Sequence, residues 1–92
     1  MKSKIRVTIY TRPGCHLCDE ARREILRAGR RGDYTLEEVN IETDPALTAR
    51  YGLEIPVVKI GGTVAFKYRL TAAEFRKQLA TEAQRHSKGS DG

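Results

Sequence analysis

The sequence predicts an α/β fold, a four-stranded mixed sheet flanked by three helices in the order β-α-β-α-β-β-α. Three observations predict it: apolar patterning of period two gives way to helical spacing early in the chain, two apolar runs meet at Gly61-Gly62, and the last third opens with a helix-capping signature. A helix between the first two strands implies a parallel right-handed crossover, and the glycine turn adds an antiparallel hairpin.

Ile5, Val7 and Ile9 alternate with Arg6, Thr8 and Tyr10, as in a strand, and "RPG" at 12–14 breaks the pattern. From Cys15 onward Leu17, Ala21 and Ile25 recur at helical spacing with Cys18 and Leu26 beside them, and this helix fades at Gly29 to Gly32. The stretch "TLEEVNI" carries Leu36, Val39 and Ile41; Leu36 is out of phase with the other two and marks a candidate irregularity in a second strand. "DPALTARYG" reads as a short helix with Asp44 as cap, Pro45 in the first position and Gly52 at the end.

"PVVKI" and "TVAFKY" flank the Gly61-Gly62 turn, whose positions favour positive φ, so this is a hairpin. Thr71 with Glu74 forms a capping box, and Leu70 with Phe75 occupies the hydrophobic-staple positions, so the last helix begins at about Ala72. One domain over 1–86 and a flexible tail over 87–92, which lacks apolar residues, complete the expected organisation.

The chain is 39% hydrophobic and 32% charged, a balance that folds rather than stays disordered. The net charge of +5 is interleaved with acids, so no nucleic-acid stripe is expected. No apolar run matches a signal-peptide core or a membrane span of roughly 20 residues, which gives a cytoplasmic, membrane-free protein as the expectation, and a monomer is expected as well. Arg22, Arg23, Arg27, Arg30 and Arg31 make the first helix and its exit basic, with Asp19, Glu20 and Glu24 able to pair along it. They read first as a solvated face, and second as a docking surface for an acidic partner.

The two cysteines, Cys15 and Cys18, stand three positions apart at the start of that helix. There the free backbone N–H groups and positive dipole end favour an anion, and a thiol so placed falls from a pKa of about 8.5 into a range of roughly 3.5 to 7.5. Cys18 lies within one turn, close enough to close a disulfide and reopen it. In a reducing compartment a crosslink over so short a loop adds little stability, so redox chemistry is the stronger reading. Cys15, His16 and Cys18 are all metal ligands by type, yet a structural zinc site takes four and the remaining histidine, His86, lies near the end of the chain. No intrachain metal is expected; an iron-sulfur cluster shared between two chains, or a redox sensor without turnover, is the alternative. Protonated His16 would favour the Cys15 thiolate, and Leu17 would pack or contact substrate.

"YTRPGCHLC", the later "EIPVV" and the element order together resemble the glutaredoxin branch of the thioredoxin-like fold over about residues 4 to 85, and most closely its small divergent members. Ile9 stands where thioredoxins carry a buried Asp, as expected of the glutaredoxin side. The resemblance implies a thiol–disulfide oxidoreductase with Cys15 as nucleophile and Cys18 as resolving thiol, acting on protein or small-molecule disulfides in cell redox homeostasis. It further implies a cis Ile55-Pro56 bond beside the redox pair, with the Ile55 backbone offered to substrate, and Arg12 as a basic position that helps hold glutathione. The Gly-Gly and acidic pair with which glutaredoxins bind glutathione are absent; "FKYRLTAAEF" stands in that region. No bound cofactor is therefore expected, and the electron donor stays open between glutathione and a reductase.

Overall fold

The computed structural model describes residues 4–28 and 34–91, with backbone alone for 85–91. Its elements are β1 (Ile5–Thr11), α1 (His16–Ala28), β2 (Tyr34–Asn40), α2 (Pro45–Tyr51), β3 (Val57–Ile60), β4 (Thr63–Lys67) and α3 (Ala72–Asp91). The sheet order is β2-β1-β3-β4. β1 pairs parallel with β2 and antiparallel with β3, and β4 returns antiparallel on β3. The order of elements along the chain and the mixed pairing follow the sequence expectation.

Each face of the sheet has its own core. Ile5, Val7, Ile9, Val58 and Ile60 pack with Ala21 and Ile25 of α1 and Phe75 and Leu79 of α3. On the other face Val57 and Tyr10 meet Leu47 and Tyr51 of α2 together with Ile41. This division explains Leu36. β2 follows β1 without a break in register from Ile5↔Tyr34 to Thr11↔Asn40, and Leu36 packs on the face of α1 and α3. Ile41 has left the strand for a 3-10 turn, Ile41–Thr43, and is buried under α2. The phase change thus marks apolar residues on opposite faces, each covered by a different element, and not a bulge. The observed register shift lies between Val58 and Lys59 of β3, where Ala65 is the extra residue on β4.

α1 buries Cys18, Ala21, Ile25 and Ala28. Leu26 departs from expectation: it is 57% exposed, because one step past Ile25 turns its side chain off the buried stripe. The expected fade at 29–32, with Arg30 and Arg31, lies outside the described residues. α2 is capped by Asp44, whose Oδ1 accepts from the Ala46 N–H at 2.9 Å, and it ends at Gly52 in the right-handed conformation, φ −54°, without a left-handed cap.

Both hairpin glycines have positive φ, 70° at Gly61 and 128° at Gly62, which joins β3 to β4 in two residues. The capping box forms in both directions: the Glu74 N–H donates to Thr71 Oγ1 at 3.1 Å and the Thr71 N–H to Glu74 Oε1 at 3.0 Å. Leu70 and Phe75 are both buried in the core of that face. The backbone of α3 continues helical to Asp91, into the segment read from sequence as a tail; the side chains there, His86 included, and Gly92 lie outside the described residues. Among the described residues no helix is long and apolar enough to cross a membrane.

Candidate active site

β1 delivers the chain to the site at Thr11, and Gly14, at φ 80°, turns it into α1 in a conformation that a side chain would strain. The Cys15 carbonyl accepts the first helical hydrogen bond, from the Asp19 N–H at 3.2 Å, so Cys15 sits at the cap of α1. One of the free N–H groups of that first turn, that of Cys18, points at the Cys15 Sγ at 3.1 Å. The two cysteines are paired as a disulfide, with Cα atoms 5.2 Å apart. Their surroundings differ: Cys15 is partly exposed, whereas Cys18 is only 2% exposed, packed on the buried side of the helix. His16 is exposed and Leu17 partly buried.

Sheet pairing brings a second loop to the same end. Val57 pairs with Tyr10, so the approach to β3 lies beside the exit of β1 that leads to Cys15. The Ile55-Pro56 bond in that approach is cis, as the family resemblance implied. Pro56 is buried and Ile55 packs against the Ile41, Tyr51 and Val57 cluster. Arg12 takes a different part from a free basic residue. Its Nη2 donates to the Gly52 carbonyl at 3.3 Å, tying the loop before Cys15 to the end of α2, while its Nε is buried with no hydrogen-bond partner.

The structure therefore gathers Cys15, Leu17 and Cys18 on one turn, with Arg12, Ile55 and Pro56 on the neighbouring loops of the same sheet end. It adds residues that sequence reasoning did not single out. A groove of about 650 Å³ runs from Leu17 along α1 past Arg23 to Tyr68 and Arg69 at the β4–α3 junction. The sequence reading of "FKYRLTAAEF" noted only its lack of the glycine pair; Tyr68 there holds φ 70°, which nothing in its identity announces. Among the described residues no group of three or more His, Cys, Asp or Glu is placed to hold a metal ion.

A β2-β1-β3-β4 sheet with a Cys-x-x-Cys turn opening α1 and a cis proline leading into β3 defines a thioredoxin-like protein. Residues 6–80 match the Glutaredoxin-like domain (DUF836), and the chain belongs to that family. It is 30% identical over 84 residues to the Glutaredoxin-like protein YDR286C homolog of Dictyostelium discoideum, covering 84% of this chain and 77% of the relative. Among solved structures it resembles protein XcR50 of X. campestris, with TM-score 0.69 and 33% identity over 82% of this chain and 96% of that one. It likewise resembles protein Ne2328 of Nitrosomonas europaea, with TM-score 0.71 and 25% identity over 86% of this chain and 95% of that one.

Proposed function

We propose that the protein is a thiol–disulfide oxidoreductase of protein or small-molecule disulfides, working in a reducing cytoplasm in cell redox homeostasis. The observation that carries this reading is the Cys18 N–H aimed at the partly exposed Cys15 Sγ at 3.1 Å, with the partner sulfur buried behind it. A sulfur that receives a helix-end N–H is stabilised as thiolate, and a partly exposed thiolate is the one that meets substrate.

In the proposed cycle the Cys15 thiolate attacks one sulfur of a substrate disulfide; that S–S bond breaks, and one substrate sulfur leaves as thiolate and takes a proton. Cys18 then loses its proton and attacks the Cys15 sulfur of the mixed disulfide, which releases the second substrate thiol. The substrate has gained two electrons and two protons, and the protein holds the Cys15–Cys18 disulfide. A donor thiol, glutathione or a reductase dithiol, returns the pair to the reduced state.

The test is to offer the oxidised protein glutathione and a thioredoxin reductase system side by side and count thiols. Reversible appearance of two thiols per chain with either donor is the expected result. A pair that neither donor reduces and no disulfide reoxidises would overturn the reading.

A further inference from the structure

The buried side of α1 and the inward side of β1 meet as two rows of side chains. Cys18, Ala21, Ile25 and Ala28 are the buried residues of the helix, and Ile5, Val7 and Ile9 of the strand share one core with the last three. β1 alternates through Thr11, so Thr11 lies on the side of Ile9, whereas Thr8 and Tyr10 lie on the other. Because β1 and β2 are parallel, α1 runs back along β1. Cys18, in the first turn of the helix, therefore stands at the same end of the sheet as Thr11, the last residue of the strand.

Thr11 brings the one hydroxyl to these two rows. It is 6% exposed, and in the disulfide form its side chain makes no hydrogen bond to another described residue. The other polar groups nearby are turned elsewhere: His16 is exposed, Arg12 reaches the Gly52 carbonyl, and the buried Thr8 lies on the opposite face. Ile9, next to Thr11 in its row, is apolar and fully buried. The Cys18 N–H points at the Cys15 sulfur and serves that one. Cys18 is itself buried, so charge gathering on its sulfur is poorly hydrated and costly unless a donor meets it.

We propose that the Thr11 hydroxyl is the hydrogen-bond donor to the Cys18 sulfur once the disulfide opens. The proposal rests on the thiol–disulfide reading and assigns a residue to its second step. In that step the Cys18 sulfur attacks the Cys15 sulfur of the mixed disulfide, the bond from Cys15 to the substrate sulfur breaks, and the proton given up by Cys18 ends on the departing substrate thiolate. Thr11 keeps its own proton throughout and directs it at the Cys18 sulfur while that sulfur carries charge. In the disulfide form the Cys18 sulfur is bonded to Cys15 and the hydroxyl is without this partner, so the same contact favours the dithiol over the disulfide.

Thr11→Val keeps the shape and removes the hydroxyl, and Thr11→Ser keeps the hydroxyl and removes the methyl. The equilibrium of the full chain with reduced and oxidised dithiothreitol, read by counting thiols, is expected to move about fivefold toward the disulfide in Thr11→Val, or about 20 mV to more negative potential. Thr11→Ser is expected to stay near the unmodified protein. In single-turnover reduction of a peptide disulfide, Thr11→Val is expected to slow decay of the mixed disulfide about tenfold while its formation through Cys15 keeps its rate. Unaltered equilibrium and decay in Thr11→Val overturn the proposal, and so does a Thr11→Ser shift as large as that of Thr11→Val, which makes packing of the methyl the cause. The thermal midpoint of oxidised Thr11→Val is expected to hold or rise, since the hydroxyl has no partner in that form; a fall gives Thr11 a structural role and sinks the assignment. Thr11→Ala carries the same expected shift in equilibrium where valine crowds the site. The equilibrium needs no turnover, so a shifted equilibrium with no reduction of the peptide disulfide supports the Thr11 contact and overturns the enzymatic reading instead.

Discussion

The N–H of Cys18 donates to the Sγ of Cys15 at 3.1 Å, and on the proposed function the same N–H would support a negative charge on that sulfur once the pair is reduced. Cys15 caps α1 and Cys18 completes its first turn, which makes this bond a product of helix geometry and not of side-chain placement. In the reduced protein the Cys15 alkylation rate should therefore rise with pH around a midpoint well below the ordinary thiol value of about 8.5. Iodoacetamide labelling across pH, read by mass spectrometry, checks this; a midpoint at the ordinary value removes the thiolate argument.

On the proposed function, the unequal burial of the two cysteines predicts an order of attack. Cys15 is partly exposed and Cys18 is 2% exposed. Cys18→Ser should accumulate mixed disulfides with a peptide disulfide, and Cys15→Ser should accumulate none. Equal trapping by both variants would contradict the order.

The family resemblance implied that Arg12 helps hold glutathione; in the structure its Nη2 donates to the Gly52 carbonyl at 3.3 Å. That carbonyl closes α2, where a cation is favourable. Arg12→Met, which keeps the stem and removes the charge, should lower stability by about 1 kcal/mol in urea unfolding. Unchanged stability would show that the tie to Gly52 is not what Arg12 contributes.

What was legible in the sequence was local. The Thr71–Glu74 box, the Leu70–Phe75 staple, the Asp44 cap and the Gly61-Gly62 turn each depend on residues a few positions apart, and each forms. Leu36 was misread because Ile41, one of the residues that set the phase it was compared with, has left the strand for the 3-10 turn and no longer shares its alternation. The cis state of Ile55-Pro56 came through family resemblance alone, since most X-Pro bonds are trans. The strained turn at Tyr68 and the tie from Arg12 to Gly52 had no local signal, for both arise when distant loops meet at one end of the sheet.

The bond between Glu24 and Ala72 is of that second kind, spanning 48 positions. Glu24 Oε1 accepts from the Ala72 N–H at 2.9 Å, so a carboxylate on α1 caps a backbone donor at the start of α3 and locks the two helices where the groove begins. The capping box already satisfies the N–H groups of Thr71 and Glu74, and Ala72, without a side-chain acceptor of its own, depends on α1. Glu24→Ala leaves that donor to water and should cost about 1 kcal/mol, seen as a lower urea midpoint at unchanged slope. Glu24→Gln keeps an acceptor oxygen at the same reach and should recover most of the loss, giving up only the added strength of a charged acceptor. If alanine and glutamine behave alike, the carboxylate acts through charge and not through the Ala72 bond. If neither differs from the unmodified protein, the contact contributes nothing to holding α1 against α3.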